Sequence, residues 1–358
     1  MTCLHCFRNL NWTKPFLLLC LNCLRRFVII FGFECFSKMS DAKQFQPVSM
    51  NLTGQQYQGV LERVLFSTLI GMPCCVFLFI NSTMLFTLRS KLVFRETSRY
   101  ILLYNLLFAD TAQLAFSQLL YILAASRIIL TYPLCGVLVM FTTLTNDISP
   151  LTLVMMSLER YVAVCYPLRH ATIASIRNTG VAIIVVWSIS LVNVLVRGLL
   201  LLTLSFKELE SLQMKDVCSD MPMLLGPTSY NYDRAYTYFL FVLATWAIIS
   251  SYIGVMVAAR SASTDRASAQ KARNTLLLHL LQLGLSLSST MHTTVVQSVS
   301  TILPRLEIVR MKNVFYVFIY ILPRCLTSLI YGLRDQTIRP ALLYHLCCRL
   351  TINSPSKA

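Results

Sequence analysis

The chain has 358 residues, of which 56% are hydrophobic and only 13% are charged. Soluble domains carry roughly 25% charged residues, so this composition excludes an ordinary soluble, disordered or fibrous protein. The formal net charge is +16. In so apolar a chain, we expect the basic excess in the cytoplasmic loops of a membrane protein and not on a nucleic-acid surface.

The first segment precedes any good membrane span. It holds five of the thirteen cysteines and an apolar run that polar and charged residues interrupt. We interpret residues 1–38 as a cleaved or vestigial leader, or as a gene-model extension ahead of a start at Met39. Two Cys-x-x-Cys spacings resemble zinc sites, but their apolar surroundings do not favour one. Residues 39–63 are then the extracellular N-terminus, 64–333 the helix bundle and 334–358 a cytoplasmic tail.

Seven stretches are long and apolar enough to cross a bilayer, which takes roughly 20 apolar residues per helix. They are Val64–Leu88, Ile101–Ala124, Leu134–Val164, Gly180–Leu204, Tyr236–Ala259, Thr275–Leu303 and Val314–Leu333. The sixth stretch carries many serines and threonines, which is typical of a helix that faces a bundle interior or a wet cavity. The sequence therefore predicts an all-α membrane protein with a seven-transmembrane helix bundle.

Loop charges predict the orientation of this bundle. The first, third and fifth connections carry ten basic residues against two acidic ones, whereas the other three carry seven against six. The positive-inside rule places the first set in the cytoplasm and the N-terminus outside. Asn51, in the triplet Asn51-Leu52-Thr53, is then a glycosylation acceptor on the correct side of the membrane.

Cysteine positions predict one covalent link. Of the eight cysteines after Met39, only Cys135 and Cys218 face the oxidising side in this topology. A disulfide would tie the outer end of the third helix to the second outer loop, and the alternative is two unpaired thiols. Cys347 and Cys348 follow a short amphipathic stretch that we predict as an eighth helix. They are palmitoylation candidates, with chance clustering as the alternative.

The inner end of the third span carries the most specific motif, Glu159-Arg160-Tyr161, which is followed by Val162-Ala163-Val164-Cys165-Tyr166-Pro167-Leu168. Other elements follow in a matching order: Asn81, Asn105-Leu106-Leu107-Phe108-Ala109-Asp110, Trp187, Ser250-Ser251-Tyr252, Lys271-Ala272-Arg273 and Leu329-Ile330-Tyr331-Gly332-Leu333-Arg334. Together they resemble the rhodopsin-like (class A) G-protein-coupled receptors and, more narrowly, the odorant receptors of a divergent fish-type branch.

The resemblance implies a chemosensory receptor that binds a small odorant and activates a heterotrimeric G protein. It implies no enzyme activity, no cofactor and no nucleic-acid partner, and it implies residence in the plasma membrane of an olfactory sensory neuron. A non-olfactory rhodopsin-like receptor is the first alternative. A transporter or channel is a more distant one, because the span count is odd and no internal repeat is visible.

The chain also departs from the family pattern. Thr327 and Ser328 stand where the seventh helix of the family has Asn-Pro, Ala244 stands near the level of the usual fifth-helix proline, and Leu287 replaces an aromatic residue. These departures concern the signalling machinery of the family, although Arg160, Tyr252 and Tyr331 remain.

By resemblance, the residues that couple to the G protein are Glu159, Arg160, Tyr161, Leu168, Tyr252 and Tyr331. Arg160 beside Glu159 suits a two-state latch that opens when the sixth helix moves outward. The alternative is an arginine that only anchors the helix at the membrane boundary. Leu168 is predicted to be an apolar plug for the G-protein surface, and its alternative is plain loop packing.

A buried polar cavity is predicted around Asn81, Asp110, Ser149 and Arg324. In the wider family the Asp110 carboxylate binds a sodium ion. Arg324 lies seven residues before Tyr331, which is two helical turns away on the same face. We therefore expect an internal Asp110–Arg324 pair in place of the ion, and a receptor that is insensitive to sodium.

A ligand pocket is expected among helices three, five, six and seven, beneath the loop that carries the second cysteine. The candidate lining residues are Thr142, Thr143, Asn146, Asp147, Asn193, Tyr236, Thr290, Thr294 and Tyr320. Asp147 is either the counter-ion of a cationic ligand or a structural partner of Arg197, and we favour the structural pair. His279 and His292 favour helix–helix hydrogen bonding over a metal site.

Overall fold

A computed structural model describes residues 52–126, 128–208, 214, 218, 226–262, 280, 284–285, 287–289, 291, 295, 298–299, 311, 314–335 and 337–342. The chain divides into two units, Met1–Glu62 and Arg63–Ala358. Only the helical backbone from residue 52 onward is described in the first unit, and all the contacts below belong to the second. The predictions for 1–38, Asn51, Cys347 and Cys348, and for most of the sixth span, lie outside the described residues.

Every regular element that the structure describes is helical. The long helices are α1 (Leu52–Ser90), α2 (Ser98–Ala125), α3 (Tyr132–Cys165), α4 (Ile176–Glu208) and α5 (Gly226–Ala262). Short pieces, Leu92–Glu96, Pro167–Arg169 and His170–Ile173, connect them. A seventh-span helix combines a π-helical turn, Tyr316–Ile321, with the α-helix Leu322–Arg334.

Five of these helices are long and apolar enough to cross a membrane, within the part of the chain that is described. Their candidate spans are Ile70–Ser90, Ser98–Ala124, Tyr132–Cys165, Ile176–Leu202 and Pro227–Ala258. They coincide with the first five spans predicted from hydropathy. Their outward faces keep large apolar side chains exposed, as lipid-facing helices require: Ile184, Val192, Leu195, Leu199, Phe239, Val242, Trp246 and Val257.

Helix α3 is the centre of the bundle. It packs against α2, α4 and α5, and its 34 residues span about 51 Å, which exceeds the roughly 30 Å of a hydrocarbon core. Its buried face is unusually polar and carries Thr142, Thr145, Asp147, Ser149, Thr152 and Ser157. Polar groups in such a setting must bond to one another, since neither water nor lipid can satisfy them.

The two ends of α3 mark the two ends of the bundle. At what we call the disulfide end, Cys135 is bonded to Cys218, which confirms the predicted bridge. The backbone N–H of Met214 also donates to the carbonyl of Leu130 at 3.2 Å, so a second tie holds this loop close to α3. The opposite end, at Arg160, we call the Arg160 end.

Residues 338–342 are helical after the seventh-span helix, with Ile338 and Leu342 buried. A Cβ at Gly332 would lie 2.6 Å from a terminal methyl carbon of Leu342, so the leucine side chain packs directly against this glycine. This short stretch therefore packs tightly against the bundle. An amphipathic eighth helix that reaches the two C-terminal cysteines stays a prediction.

Candidate functional site

The seventh-span helix buries an arginine in the centre of the bundle. Arg324 is only 1% exposed, and its Nη1 lies 3.0 Å from Oδ1 of Asp110 on α2. The same nitrogen lies 3.4 Å from the Ser149 hydroxyl, and Nη2 donates to Oδ1 of Asn146 at 2.8 Å. The Ser149 hydroxyl also donates to Asp110 at 2.7 Å. The ion pair expected from the helical spacing is thus present, with two α3 side chains hydrogen-bonded to it.

An irregular turn precedes this arginine. The segment Tyr316–Ile321 is π-helical, and such widened turns are rare and frequently occur at functional sites. The rings of Tyr316 and Tyr320 stack with 5.3 Å between their centres. The guanidinium carbon of Arg324 lies 5.0 Å from the centre of the Tyr320 ring, within range of a cation–π contact. The tyrosine stack therefore packs against the arginine in addition to its hydrogen bonds.

Asn81, the fourth residue predicted for this cavity, does not join the network. Its side chain is fully buried, yet neither of its polar atoms has a hydrogen-bond partner among the described residues. The Nη atoms of Arg324 contact Asp110 on α2 and Ser149 and Asn146 on α3. Thr327, one of the departures from the family pattern, donates to the Pro323 carbonyl at 3.2 Å within its own helix.

A cavity lies near the disulfide end, between α3, α4, α5 and the seventh-span helix. Six of the predicted ligand contacts line it: Thr142, Thr143, Asn146, Asp147, Tyr236 and Tyr320. Asn193 lies behind the wall, where its Nδ2 donates to Oδ2 of Asp147 at 2.6 Å. Thr290 and Thr294 lie outside the described residues.

The charged residues of this cavity form a cluster of three. The charge of Arg197 acts on the buried Asp147 carboxylate, as the favoured pair requires, and Nη1 of Arg197 also lies 2.5 Å from Oδ1 of Asp233. Hydropathy places Asp233 in a loop, since the apolar stretch begins at Tyr236. Helix α5 begins ten residues earlier, at Gly226, and its first turns bring Asp233 to the wall of the cavity.

Two side chains belong both to the cavity and to the buried ion pair. Asn146 and Tyr320 line the cavity, and each contacts Arg324. The Tyr320 hydroxyl is also hydrogen-bonded to Gln113 and to Ser117 on α2, the latter at 2.9 Å. A molecule in the cavity would therefore touch the same groups that hold the ion pair in place.

The Arg160 end carries the third-helix motif. Nε of Arg160 lies 3.7 Å from Oε2 of Glu159, while Oε1 of the same carboxylate lies 3.3 Å from Nε2 of His170. The sequence gives His170 no role, although it follows the motif directly. Glu159 is thus placed between two basic groups, one on its own helix and one on the following loop.

Other predicted residues of this end differ in exposure. Leu168 is 98% exposed on the turn Pro167–Arg169, Tyr331 is buried in the apolar core, and Tyr252 is half-buried. The Tyr161 ring lies so close to Gly254 that no Cβ fits between them. The glycine therefore permits the close approach of α5 to α3.

Asp335, which the sequence leaves without a role, connects three elements at this end. Its carboxylate lies 3.2 Å from Nη2 of Arg99 and accepts the Tyr100 hydroxyl at 3.2 Å. It also accepts the backbone N–H of Thr337 at 2.9 Å. An aspartate three residues before a short helical stretch is a typical helix cap, and that pattern is the signal that could have identified it.

Residues 80–331 match the family model described as 7 transmembrane receptor (rhodopsin family). This match covers most of the chain and includes every contact described above except those of Gly332 and Asp335. The chain belongs to the rhodopsin family of seven-transmembrane receptors. The receptor is accordingly a membrane protein with a seven-helix bundle, and it is not an enzyme.

Individual relatives indicate which branch of the family the chain resembles. The receptor is 33% identical over 288 residues to odorant receptor 131-2 of Danio rerio. The aligned residues make up 77% of this chain and 84% of that protein. It is 34% identical over 114 residues to olfactory receptor 7A17 of Homo sapiens, covering 31% and 37% of the two chains. It is 31% identical over 111 residues to olfactory receptor 1500 of Rattus norvegicus, covering 30% and 36%. The resemblance to odorant receptors is thereby confirmed.

The described part of the receptor offers no metal site. No group of three or more histidine, cysteine, aspartate or glutamate side chains comes together there in a way that could hold an ion. The chemistry available in the cavity is hydrogen bonding by hydroxyls and amides, together with the charges of Asp147, Arg197 and Asp233. Such a site can bind and orient a small molecule.

Proposed function

We propose that this receptor binds a small odorant in the cavity near the disulfide end and then activates a heterotrimeric G protein at the Arg160 end. The observation that carries the proposal is the double contact of Asn146 and Tyr320, which line the cavity and touch Arg324. A ligand with different affinities for two arrangements of these side chains shifts the equilibrium between the helix arrangements that hold them. The work is differential binding without covalent chemistry.

The proposed orientation puts the disulfide end outside the cell. The charge asymmetry of the loops supports it, and so does the disulfide, because such bonds persist in oxidising compartments. In this orientation the N-terminus is extracellular and Asn51 carries a glycan. Cys347 and Cys348 carry palmitate on the cytoplasmic side, after an amphipathic eighth helix. The receptor works in the plasma membrane of an olfactory sensory neuron.

The proposed signalling surface centres on Arg160. Glu159 holds the guanidinium in the resting receptor, and outward movement of the sixth helix frees it for the G protein. The position of Glu159 between Arg160 and His170 supports a latch with two basic contacts. Tyr161, Tyr252 and Tyr331 surround the arginine in its freed state, and the exposed Leu168 inserts into the G protein.

The proposed role of the ion pair is to replace a bound cation. Nη1 of Arg324 lies 3.0 Å from the Asp110 carboxylate and 3.4 Å from Ser149, so a positive charge already occupies the space between these groups. A sodium ion would meet the guanidinium there and be repelled by it. The receptor is therefore insensitive to sodium.

The test is an odorant screen in cells that express the full chain and report cyclic nucleotide. Odorants that activate the receptor are then applied to the Arg160→Ala variant, with surface expression measured by a tag on the extracellular end. The matched control is Arg177→Ala, which removes an exposed arginine at the start of α4. We expect loss of the response for Arg160→Ala at unchanged surface expression, and a normal response for the control.

Two results would contradict the proposal. One is an unchanged odorant response in the Arg160→Ala variant. The other is a tag on the N-terminus that antibodies reach only after the cells are made permeable, because this would place the cavity end of the bundle in the cytoplasm.

A further inference from the structure

Another cavity lies near the Arg160 end, where α1, the short helix Leu92–Glu96 and α2 meet. Its volume is about 320 Å³, which is within the usual range for small-molecule sites. Two arginines line it together with apolar and aromatic side chains: Leu88, Arg89, Phe94, Arg95, Tyr100, Ile101 and Tyr104. None of these residues lines the cavity near the disulfide end, so the two cavities are separate sites.

The two arginines of this cavity have no acidic partner. Arg89 and Arg95 are exposed, and no carboxylate of the described residues lies within salt-bridge distance of either. This includes Glu96, the one acidic residue between α1 and α2. Arg99, by contrast, is paired with Asp335 at 3.2 Å. The positive charge at the cavity is therefore available to attract an anionic ligand.

Buried aromatic contacts hold the floor of the cavity in place. Phe94 is 2% exposed, and its ring meets the Tyr100 ring edge to face with 5.0 Å between their centres. The Tyr100 hydroxyl is fixed in turn by the Asp335 carboxylate. Arg89 and Arg95 thus flank a fixed apolar surface. Guanidinium groups beside such a surface suit phosphate, which arginine binds through paired hydrogen bonds.

The residues around the cavity place it where lipid headgroups meet acyl chains. Leu92 and Val93 on the short helix are 64% and 60% exposed, and the exposed Lys91 precedes them. Phe86 is also exposed, and it lies three residues before Arg89 on the same face of α1. The acyl chains of a lipid whose phosphate is bound at Arg89 would lie along this face. An anionic phospholipid therefore fits both the charges and the apolar surroundings.

We infer that this cavity binds the headgroup of a phosphoinositide from the cytoplasmic leaflet, with Arg89 and Arg95 as the groups that hold its phosphates. The inference uses the proposed orientation, in which the Arg160 end faces the cytoplasm, and it adds a lipid partner. Basic pockets between transmembrane helices on the cytoplasmic side suit such headgroups. Each phosphate monoester presents three acceptor oxygens, whereas phosphatidylserine has no phosphate monoester to offer the two guanidinium groups.

The first experiment measures the affinity of the purified full chain, in a neutral detergent, for a fluorescent short-chain phosphatidylinositol bisphosphate. Arg89→Gln/Arg95→Gln is expected to bind it roughly 30-fold more weakly, since each basic residue near an anionic lipid contributes about fivefold. The matched control is Arg169→Gln/Arg177→Gln, which removes two exposed arginines from the connection between α3 and α4. We expect the control to bind like the unmutated receptor. An equal loss in both variants, or no loss in either, would overturn the inference.

The second experiment identifies the form of the phosphate. Thermal unfolding is recorded in nanodiscs of phosphatidylcholine alone, with phosphatidylserine, and with phosphatidylinositol bisphosphate at an equal surface charge. A further sample in phosphatidylcholine receives soluble inositol trisphosphate. We expect only the phosphoinositide to raise the unfolding temperature of the unmutated receptor, because a ligand of the folded state stabilises it.

The arginine variant is the reference for these samples. Because Arg89 and Arg95 have no acidic partner among the described residues, Arg89→Gln/Arg95→Gln should unfold like the unmutated receptor in phosphatidylcholine and gain nothing from the phosphoinositide. An equal rise with phosphatidylserine would show that surface charge alone is recognised. An equal rise with inositol trisphosphate would show that the ligand is soluble. Either result contradicts the inference.

This inference and the proposed function fail in different ways. If odorants activate the receptor through Arg160 but the unmutated receptor does not bind the phosphoinositide, the lipid site is wrong and the receptor function stands. If the phosphoinositide binds in a manner that depends on Arg89 and Arg95, yet no odorant gives an Arg160-dependent signal, the lipid site stands and the proposed coupling is wrong.

Discussion

Removing the guanidinium of Arg324 should expose how much the bundle depends on its buried ion pair. At 3.0 Å, two unit charges attract by about 5.5 kcal/mol at an effective dielectric constant of about 20. Loss of one partner of a buried pair destabilises proteins by about 3–5 kcal/mol, because the other charge stays buried without compensation. We therefore expect Arg324→Met to lower the free energy of unfolding by about 3–5 kcal/mol.

The assay is thermal unfolding of the purified full-length receptor in lipid nanodiscs, for Arg324→Met, for Asp110→Asn and for the double variant. Since the double variant contains neither charge, we expect it to be no less stable than Arg324→Met alone. Arg177→Met serves as the control for removing an exposed arginine, with an effect within about 0.5 kcal/mol. Additive losses in the double variant would refute the reasoning, because they would show that the two charges do not stabilise each other.

The same variant tests the replacement of sodium. In the unmutated receptor, the affinity of an activating ligand is expected to be the same in sodium chloride and in N-methylglucamine chloride. Arg324→Ala should make the affinity depend on sodium, because it opens a site between Asp110 and Ser149. Sodium dependence in the unmutated receptor would show that the guanidinium does not take the place of the ion.

Three further predictions concern both ends of the bundle. Cys135→Ser should strongly reduce the amount of receptor at the cell surface, measured by flow cytometry. The double variant with Cys218→Ser should reduce it no further, because both changes break the same disulfide. A further reduction in the double variant would indicate separate roles for the two thiols. Gly254→Ala should destabilise the receptor by about 1–3 kcal/mol in thermal unfolding, because its methyl group meets the Tyr161 ring; an unchanged melting temperature would contradict this close packing. Glu159→Gln should raise basal cyclic nucleotide, and a basal level equal to that of the unmutated receptor would speak against the latch.

The ion pair in the bundle centre could be predicted from sequence because two simple rules point to it. A charge inside a span needs a partner, and residues seven apart share a helix face. These rules identify Arg324 and Asp110 without any knowledge of the surrounding helices. They do not reveal that Asn146 accepts from the arginine or that Tyr320 stacks on it, because these contacts depend on how the π-helical turn sets the seventh-span helix against α3.

The cavity charges could not be assigned in the same way. A hydropathy window ends where charges begin, so it places Asp233 in a loop and leaves Arg197 with Asp147 as the nearest buried carboxylate. In the structure, α5 continues through these charged residues, because the Arg197–Asp233 pair at 2.5 Å compensates for burying them. The helix boundary taken from hydropathy therefore hid the second carboxylate that Arg197 contacts.

The two side chains that line the cavity and also contact Arg324 restrict how the ligand specificity of such a receptor can change. Asn146 and Tyr320 cannot be exchanged for a new ligand preference without disturbing the arginine that they hold. On α5 the cavity is lined by Ser229, Thr237 and Leu240. These residues are not part of the network around Arg324 described above. Duplicated receptors that bind new ligands should therefore differ first in the α5 residues that line the cavity. Asn146 and Tyr320 should remain unchanged among them.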